Sequence, residues 1–218
     1  MSEAITKRPQ AKASMQRAGA DFYSFGWVSA QSGNLSCRIS ESRLLITPTG
    51  AHLRDLPEGD FVEVDLDGNP VDDKTPSGDV AVHLALYNNI DNVGAVYHIH
   101  HLEAALCSDR DQKRGSTHLR DIAMLHALGI EGDEPAADIP VVDVPYQPQE
   151  MAETINNAVS DEPPEISCLN VKHHGLYVWG KTPKAARRHV EACAYLFEYA
   201  LKRPMSPKDK ASSITGFG

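Results

Sequence analysis

The chain lacks a long apolar run, a cysteine cluster and a surplus of positive charge. No stretch of its 218 residues approaches the ~20 apolar residues of a membrane span, and Met1 to Lys12 holds no signal-peptide core. Its four cysteines, Cys37, Cys107, Cys168 and Cys193, are far apart and form no Cys-x-x-Cys pair. That argues against a disulfide framework or cysteine-ligated zinc, and for a reducing, cytoplasmic setting. With 30 acidic against 21 basic residues the formal charge is −9, which disfavours nucleic acid and anionic membranes as partners. A small anionic substrate stays possible, because a few amides and hydroxyls can hold one phosphate. No internal repeat and no interdomain linker is visible, so residues 1–218 are expected to form a single domain. The Pro-, Ser- and Lys-rich stretch 205–218 is expected to be a loose or partner-docked tail.

Histidine, by contrast, is abundant: ten in all, concentrated in two places. The stretch Ala95-Val96-Tyr97-His98-Ile99-His100-His101 reads as a short buried strand ending in histidines. Side chains alternate along a strand, so His98 and His100 share a face while Ile99 packs on the other. Two imidazoles about 6–7 Å apart on one strand face can share a metal ion. A third ligand would come from Val171-Lys172-His173-His174-Gly175. An isolated His-x-His is a weak signal; its surroundings strengthen it.

Lys12 to Phe25 patterns as an amphipathic helix, and Leu35–Ile39, Leu44–Ile46 and Phe61–Leu66 as strands. A Gly33-Asn34 turn and a Thr47-Pro48-Thr49-Gly50 loop offer small donors to an anion. Thr75-Pro76-Ser77-Gly78-Asp79 opens a helix, with Ser77 placed to cap it and Asp79 in its first turn. Asp79 and His83 stand four apart on one helix face, the spacing of a local side-chain pair. Helices are expected at Leu102–Ser108, Leu119–Leu128 (stopped by Gly129), Gln149–Val159 and Pro183–Leu201, the last capped by Thr182. Glu131–Asp138 reads as an acidic loop, and Ile139–Val144, Ser167–Val171 and Leu176–Gly180 as strands.

Five motifs in this order resemble the class II aldolase/adducin superfamily over nearly the whole chain. They are Gly33-Asn34, Thr47-Pro48-Thr49-Gly50, Pro76-Ser77-Gly78-Asp79, His98-Ile99-His100 and His174-Gly175. The resemblance implies an α/β fold, a three-layer α/β/α sandwich with a mainly antiparallel central sheet. It makes His98, His100 and His174 the ligands of Zn²⁺, although three imidazoles also suit Fe²⁺, Co²⁺ or Ni²⁺. It places the substrate phosphate on Gly33, Asn34, Thr49, Gly50, Ser77 and Gly78, and makes Asp79 the acid–base carboxylate. Family members are usually homotetramers with sites at subunit contacts. His101, His173 and the remaining histidines are expected to be structural or supporting.

The ending, His174 to Gly180 and then Ala192 to Phe197, resembles the branch that dehydrates 5-methylthioribulose 1-phosphate in methionine salvage. The Thr47–Gly50 loop is more like that of the sugar-phosphate aldolases. Three departures stand out: Asp79 for the more usual glutamate, Gly78 for a small side chain, and Ala123, with Asp121 nearby, where the dehydratases carry an acid. The implied substrate is a phosphorylated ketose whose enediolate the zinc stabilises. Dehydration needs a base for C3 and an acid for the departing C4 hydroxyl, or one group doing both. Retro-aldol cleavage to dihydroxyacetone phosphate and an aldehyde needs a single carboxylate. With Asp79 clear and the second acid missing, the chemistry leans toward cleavage, whereas the overall likeness leans toward dehydration, which is the leading expectation. Pentulose-phosphate epimerisation, which relatives run with an aspartate at this position, and a non-catalytic adducin-like module are the further options.

Overall fold

The computed structural model describes residues 4–144, 147–161 and 163–203, so the expected tail, 205–218, lies outside the described residues. Among the described residues eight strands form one sheet: β1 (Asn34–Ser40), β2 (Arg43–Ile46), β3 (Val62–Asp65), β4 (Ala95–Ile99), β5 (Ser116–Arg120), β6 (Ala136–Val142), β7 (Cys168–Val171) and β8 (Gly175–Gly180). Their spatial order is β3-β2-β1-β4-β8-β7-β6-β5. Only β6 and β7 pair in parallel among the described residues, so the sheet is mixed and mostly antiparallel. The histidine strand β4 is central, hydrogen-bonded between β1 and β8.

The central strands are buried on both faces, and this explains their unbroken apolar runs. On β4, Ala95, Tyr97 and Ile99 join one cluster while Val96 joins another; on β8, Leu176 and Val178 separate from Tyr177 and Trp179 in the same way. The first cluster takes the apolar stripes of α1 (Arg8–Ser24), α3 (Leu102–Asp111) and α5 (Pro183–Lys202). The second takes α2 (Val80–Asn89) and α4 (Pro148–Asp161). Thr182 caps α5 by accepting from the Ala185 N–H, as its sequence suggests.

Three local expectations change. The predicted helix 119–128 is instead the end of β5 followed by a short 3-10 turn, Ala123–Leu128. Pairing with β6 overrides the helical pattern, and Asp121 breaks the chain with a φ of 56°. The acidic loop ends earlier than expected, because β6 begins at Ala136. The helix after the Pro76 loop starts later: Asp79 occupies its N-cap position without a side-chain capping bond, while Ser77 Oγ accepts from the Asp79 N–H at 3.3 Å. The Asp79 carboxylate is therefore free to face elsewhere.

Candidate active site

The register of three adjacent strands places Asn34, His98 and Tyr177 in one row, since Asn34 pairs with His98 and His98 with Tyr177. Paired residues on neighbouring antiparallel strands share a face. This face is the one covered by α2 and α4. Two glycines let neighbouring chain close onto the end of β4. A Cβ at Gly33, whose φ is +75°, would meet the His98 carbonyl oxygen at 2.7 Å, and one at Gly175 would meet that of Ile99 at 2.2 Å. The turn before Gly175 puts His173 at a φ of 56° and delivers His174 beside β4.

His98, His100 and His174 converge: one ligand nitrogen from each lies within 4.8 Å of the others. The ring centroids are 4.8–4.9 Å apart in all three pairs. His98 is fully buried, whereas His100 lies at the mouth. His98 Nδ1 lies 2.9 Å from the Leu176 carbonyl oxygen. A carbonyl only accepts, so Nδ1 carries the proton and Nε2 presents a bare lone pair. That lone pair points to His100 Nε2, 3.0 Å away. Burial, then the two neighbouring rings, pushes His98 well below the usual histidine range. Burial and the adjacent His174 bring His100 down to about 4, and burial lowers His174. Three neutral imidazoles with a fixed tautomer at the buried member make a donor set suited to a divalent first-row ion. Tyr177 stacks flat on His98, centroids 4.1 Å apart at 9°, and locks the ring's tilt.

Asp79 Oδ2 lies 3.9 Å from His98 Nε2. It opens, with His100 and His174, into a cleft of about 290 Å³ lined also by Gly33, Asn34, Thr49, Gly50, Ser77 and Gly78. Every residue given a metal, phosphate or acid–base role from the sequence thus lines one cleft, except that His98 is buried behind it. The two donor loops are tied together by the Ser77 N–H bonding to the Thr47 carbonyl at 3.1 Å and by a bridge between Pro48 and Pro76. Asp79 is the one carboxylate among the described lining residues, which include no Lys or Arg. Asp121 and Ala123 are not among them.

Sequence reasoning gave Asn34 to the phosphate. Its side chain is already engaged at both ends: Nδ2 donates to Asp79 Oδ2 at 2.7 Å, and Oδ1 meets His83 Nε2. Behind it, His83 Nδ1 contacts Ser36 Oγ at 2.7 Å, and Ser36 Oγ contacts the Tyr87 hydroxyl at 3.0 Å. Burial keeps His83 neutral, lowering it to about 4. Two spacings could have flagged this group: Asn34 and Ser36 alternate on β1, and Asp79, His83 and Tyr87 repeat every four residues along α2. Met151 and Pro148 of α4 add an apolar wall to the cleft that no motif marked.

Residues 13–201 match the model of the Class II Aldolase and Adducin N-terminal domain. The chain belongs to the class II aldolase and adducin family. Among curated members of the family it is 33% identical to methylthioribulose-1-phosphate dehydratase of Microcystis aeruginosa, covering 86% of this chain and 93% of that one. It is 35% identical to the enzyme of the same name from Pectobacterium atrosepticum, covering 82% and 87%. Solved structures share the fold. YgbL of Klebsiella pneumoniae superposes with a TM-score of 0.77 at 23% identity, covering 95% of this chain and 99% of that one. L-fuculose-1-phosphate aldolase of Thermus thermophilus gives 0.70 at 23% identity, covering 89% and 95%. Among the described residues no helix is long and apolar enough to cross a membrane.

Proposed function

We propose that this chain is a metal-dependent lyase that removes water from a phosphorylated ketose, 5-methylthioribulose 1-phosphate. The observation that carries the reading is the meeting of three neutral imidazoles and one carboxylate at a small cleft rimmed by amide and hydroxyl donors. The names of the curated relatives favour dehydration over the family's other reactions.

In this reading His98, His100 and His174 hold Zn²⁺, which supplies, when bound, a Lewis acid for the negative charge that develops on the ketose oxygens. The amides and hydroxyls of Gly33, Thr49, Gly50, Ser77 and Gly78 receive the phosphate, with Asn34 contributing at most its second amide hydrogen. Asp79 takes the proton from C3 as the C4–O bond breaks. It then passes that proton to the departing hydroxyl, which leaves as water. The resulting C3 enol tautomerises to the diketone as its O–H proton moves to C4. One carboxylate closes the proton balance, so the missing acid near Ala123 is not required. Met151 and Pro148 would face the apolar end of the substrate. We read the two helical coverings as the outer layers of a three-layer α/β/α sandwich, and residues 1–218 as one cytoplasmic domain that works as a homo-oligomer.

The test is to incubate zinc-loaded protein with 5-methylthioribulose 1-phosphate and follow products by ³¹P NMR and mass spectrometry. A diketone phosphate lighter than the substrate by one water is expected. Dihydroxyacetone phosphate with an aldehyde would establish retro-aldol cleavage instead, and no turnover would remove this substrate.

A further inference from the structure

The bonds behind Asp79 form a chain whose directions follow one from another. An ionised carboxylate only accepts, so the Asn34 atom facing Asp79 is its NH₂ group, donating at 2.7 Å. The other end of that amide is a carbonyl oxygen, which also only accepts; His83 Nε2 must therefore carry the proton toward it. A neutral imidazole has one N–H, so Nδ1 is bare and receives the Ser36 hydroxyl at 2.7 Å. With its hydrogen spent, Ser36 Oγ accepts from the Tyr87 hydroxyl at 3.0 Å. Ser36 and His83 are wholly inaccessible to water, and Asn34 and Tyr87 are nearly so. No member can turn without leaving a buried donor or acceptor unpaired.

We propose that His83 is a positioning residue for the reaction: set as its Nε2–H tautomer by Ser36 and Tyr87, it orients the Asn34 amide and so aims the Asp79 carboxylate at the histidine cluster. The inference rests on the reaction proposed above and assigns it three residues outside the cleft. His83 touches neither substrate nor metal. It acts through Asn34, whose amide could otherwise rotate to present oxygen to Asp79 and push the carboxylate away. The geometry suits this role, because α2 carries Asp79, His83 and Tyr87 along one stripe while β1 supplies Asn34 and Ser36 between them.

The test uses zinc-loaded protein labelled with ¹⁵N-histidine, with His83→Leu, His83→Gln and Ser36→Ala variants. Long-range ¹H–¹⁵N correlations should show His83 protonated at Nε2 and bare at Nδ1. His83→Leu should lower kcat on 5-methylthioribulose 1-phosphate about 10- to 100-fold, with KM and bound zinc little changed. His83→Gln, which can still offer an N–H to Asn34, should recover much of the loss. Ser36→Ala, a change too small to threaten folding, should lower kcat less and mix the His83 tautomers. A proton on Nδ1 of His83, or an unchanged kcat in both His83→Leu and Ser36→Ala, would overturn the proposal. If the unmodified chain fails to turn over this ketose, the reaction falls, and the tautomer alone then decides for or against the relay.

Discussion

Strand β4 divides two buried surfaces that solve the same problem differently. On one face Ala95, Tyr97 and Ile99 meet Phe22 and Phe197 in an apolar cluster, where Phe22 and Tyr97 rings touch edge to face at 5.9 Å. The one polar atom Tyr97 brings there, its hydroxyl, has no partner among the described residues. On the other face His98, Asn34, Ser36 and His83 are as deeply buried but bonded in sequence, although the Tyr177 hydroxyl beside them, like that of Tyr97, has no partner among the described residues. Burying a polar group without a partner costs about 1–3 kcal/mol in proteins, so polar residues accumulate only where each satisfies the next. One face is built for packing, the other for holding groups at fixed angles.

The largest expected effect separates these roles. His98→Ala should empty the metal site and remove several kcal/mol of transition-state stabilisation, roughly 10³-fold in turnover. Phe22→Ala, on the opposite face, should instead cost about 3–5 kcal/mol of stability while leaving the metal stoichiometry of the folded protein unchanged. Metal analysis beside urea unfolding measures both. A Phe22→Ala protein that is folded but metal-free would show that the faces are not independent.

Acid should act next, and most strongly on the polar face, although burial also lowers His101 and His189 on the side of α5. His83 and His100 sit at about 4 against an ordinary value of 6.5. Between those values the unfolded chain binds more protons than the folded one, so stability is full above pH 6.5 and falls as pH drops toward 4. For the fully buried His83 this amounts to something on the order of 3 kcal/mol over the window. Urea midpoints of the metal-free protein across that range should decline with acid, and His83→Gln should flatten the decline. A midpoint independent of pH would contradict the buried neutral state.

The smallest effect compares two phenols. Tyr97→Phe deletes an unpaired hydroxyl and should be neutral or stabilising, within about 1 kcal/mol. Tyr87→Phe removes the outer end of the relay and should cost about 1 kcal/mol. Equal losses from both would mean that the Tyr97 hydroxyl is bonded after all.

Much of the site was legible in the order of residues alone. His98 and His100 were marked by strand alternation, and the succession of the five motifs marked His174, Asp79 and the two donor loops. Two things were not. Asn34 reads as an anion-binding turn residue, yet cross-strand pairing with His98 turns its amide toward Asp79 and His83. Leu119 carries a helical pattern from its own neighbourhood, but its partner Ala137 on β6 draws it into a strand. In both cases a distant segment supplied hydrogen bonds that outweighed a local preference.

What the amino-acid sequence determined by itself was local: which strand faces are apolar and which histidines fall close together along the chain, although β4 ends at Ile99 and His100 lies just beyond it. These follow from side-chain periodicity and backbone sterics within a few residues. Only the tertiary structure decided that residues 34, 98 and 177 stand in one row and that α2 closes over them. Register between remote strands is set by how the whole core packs, and no short stretch of chain carries that information.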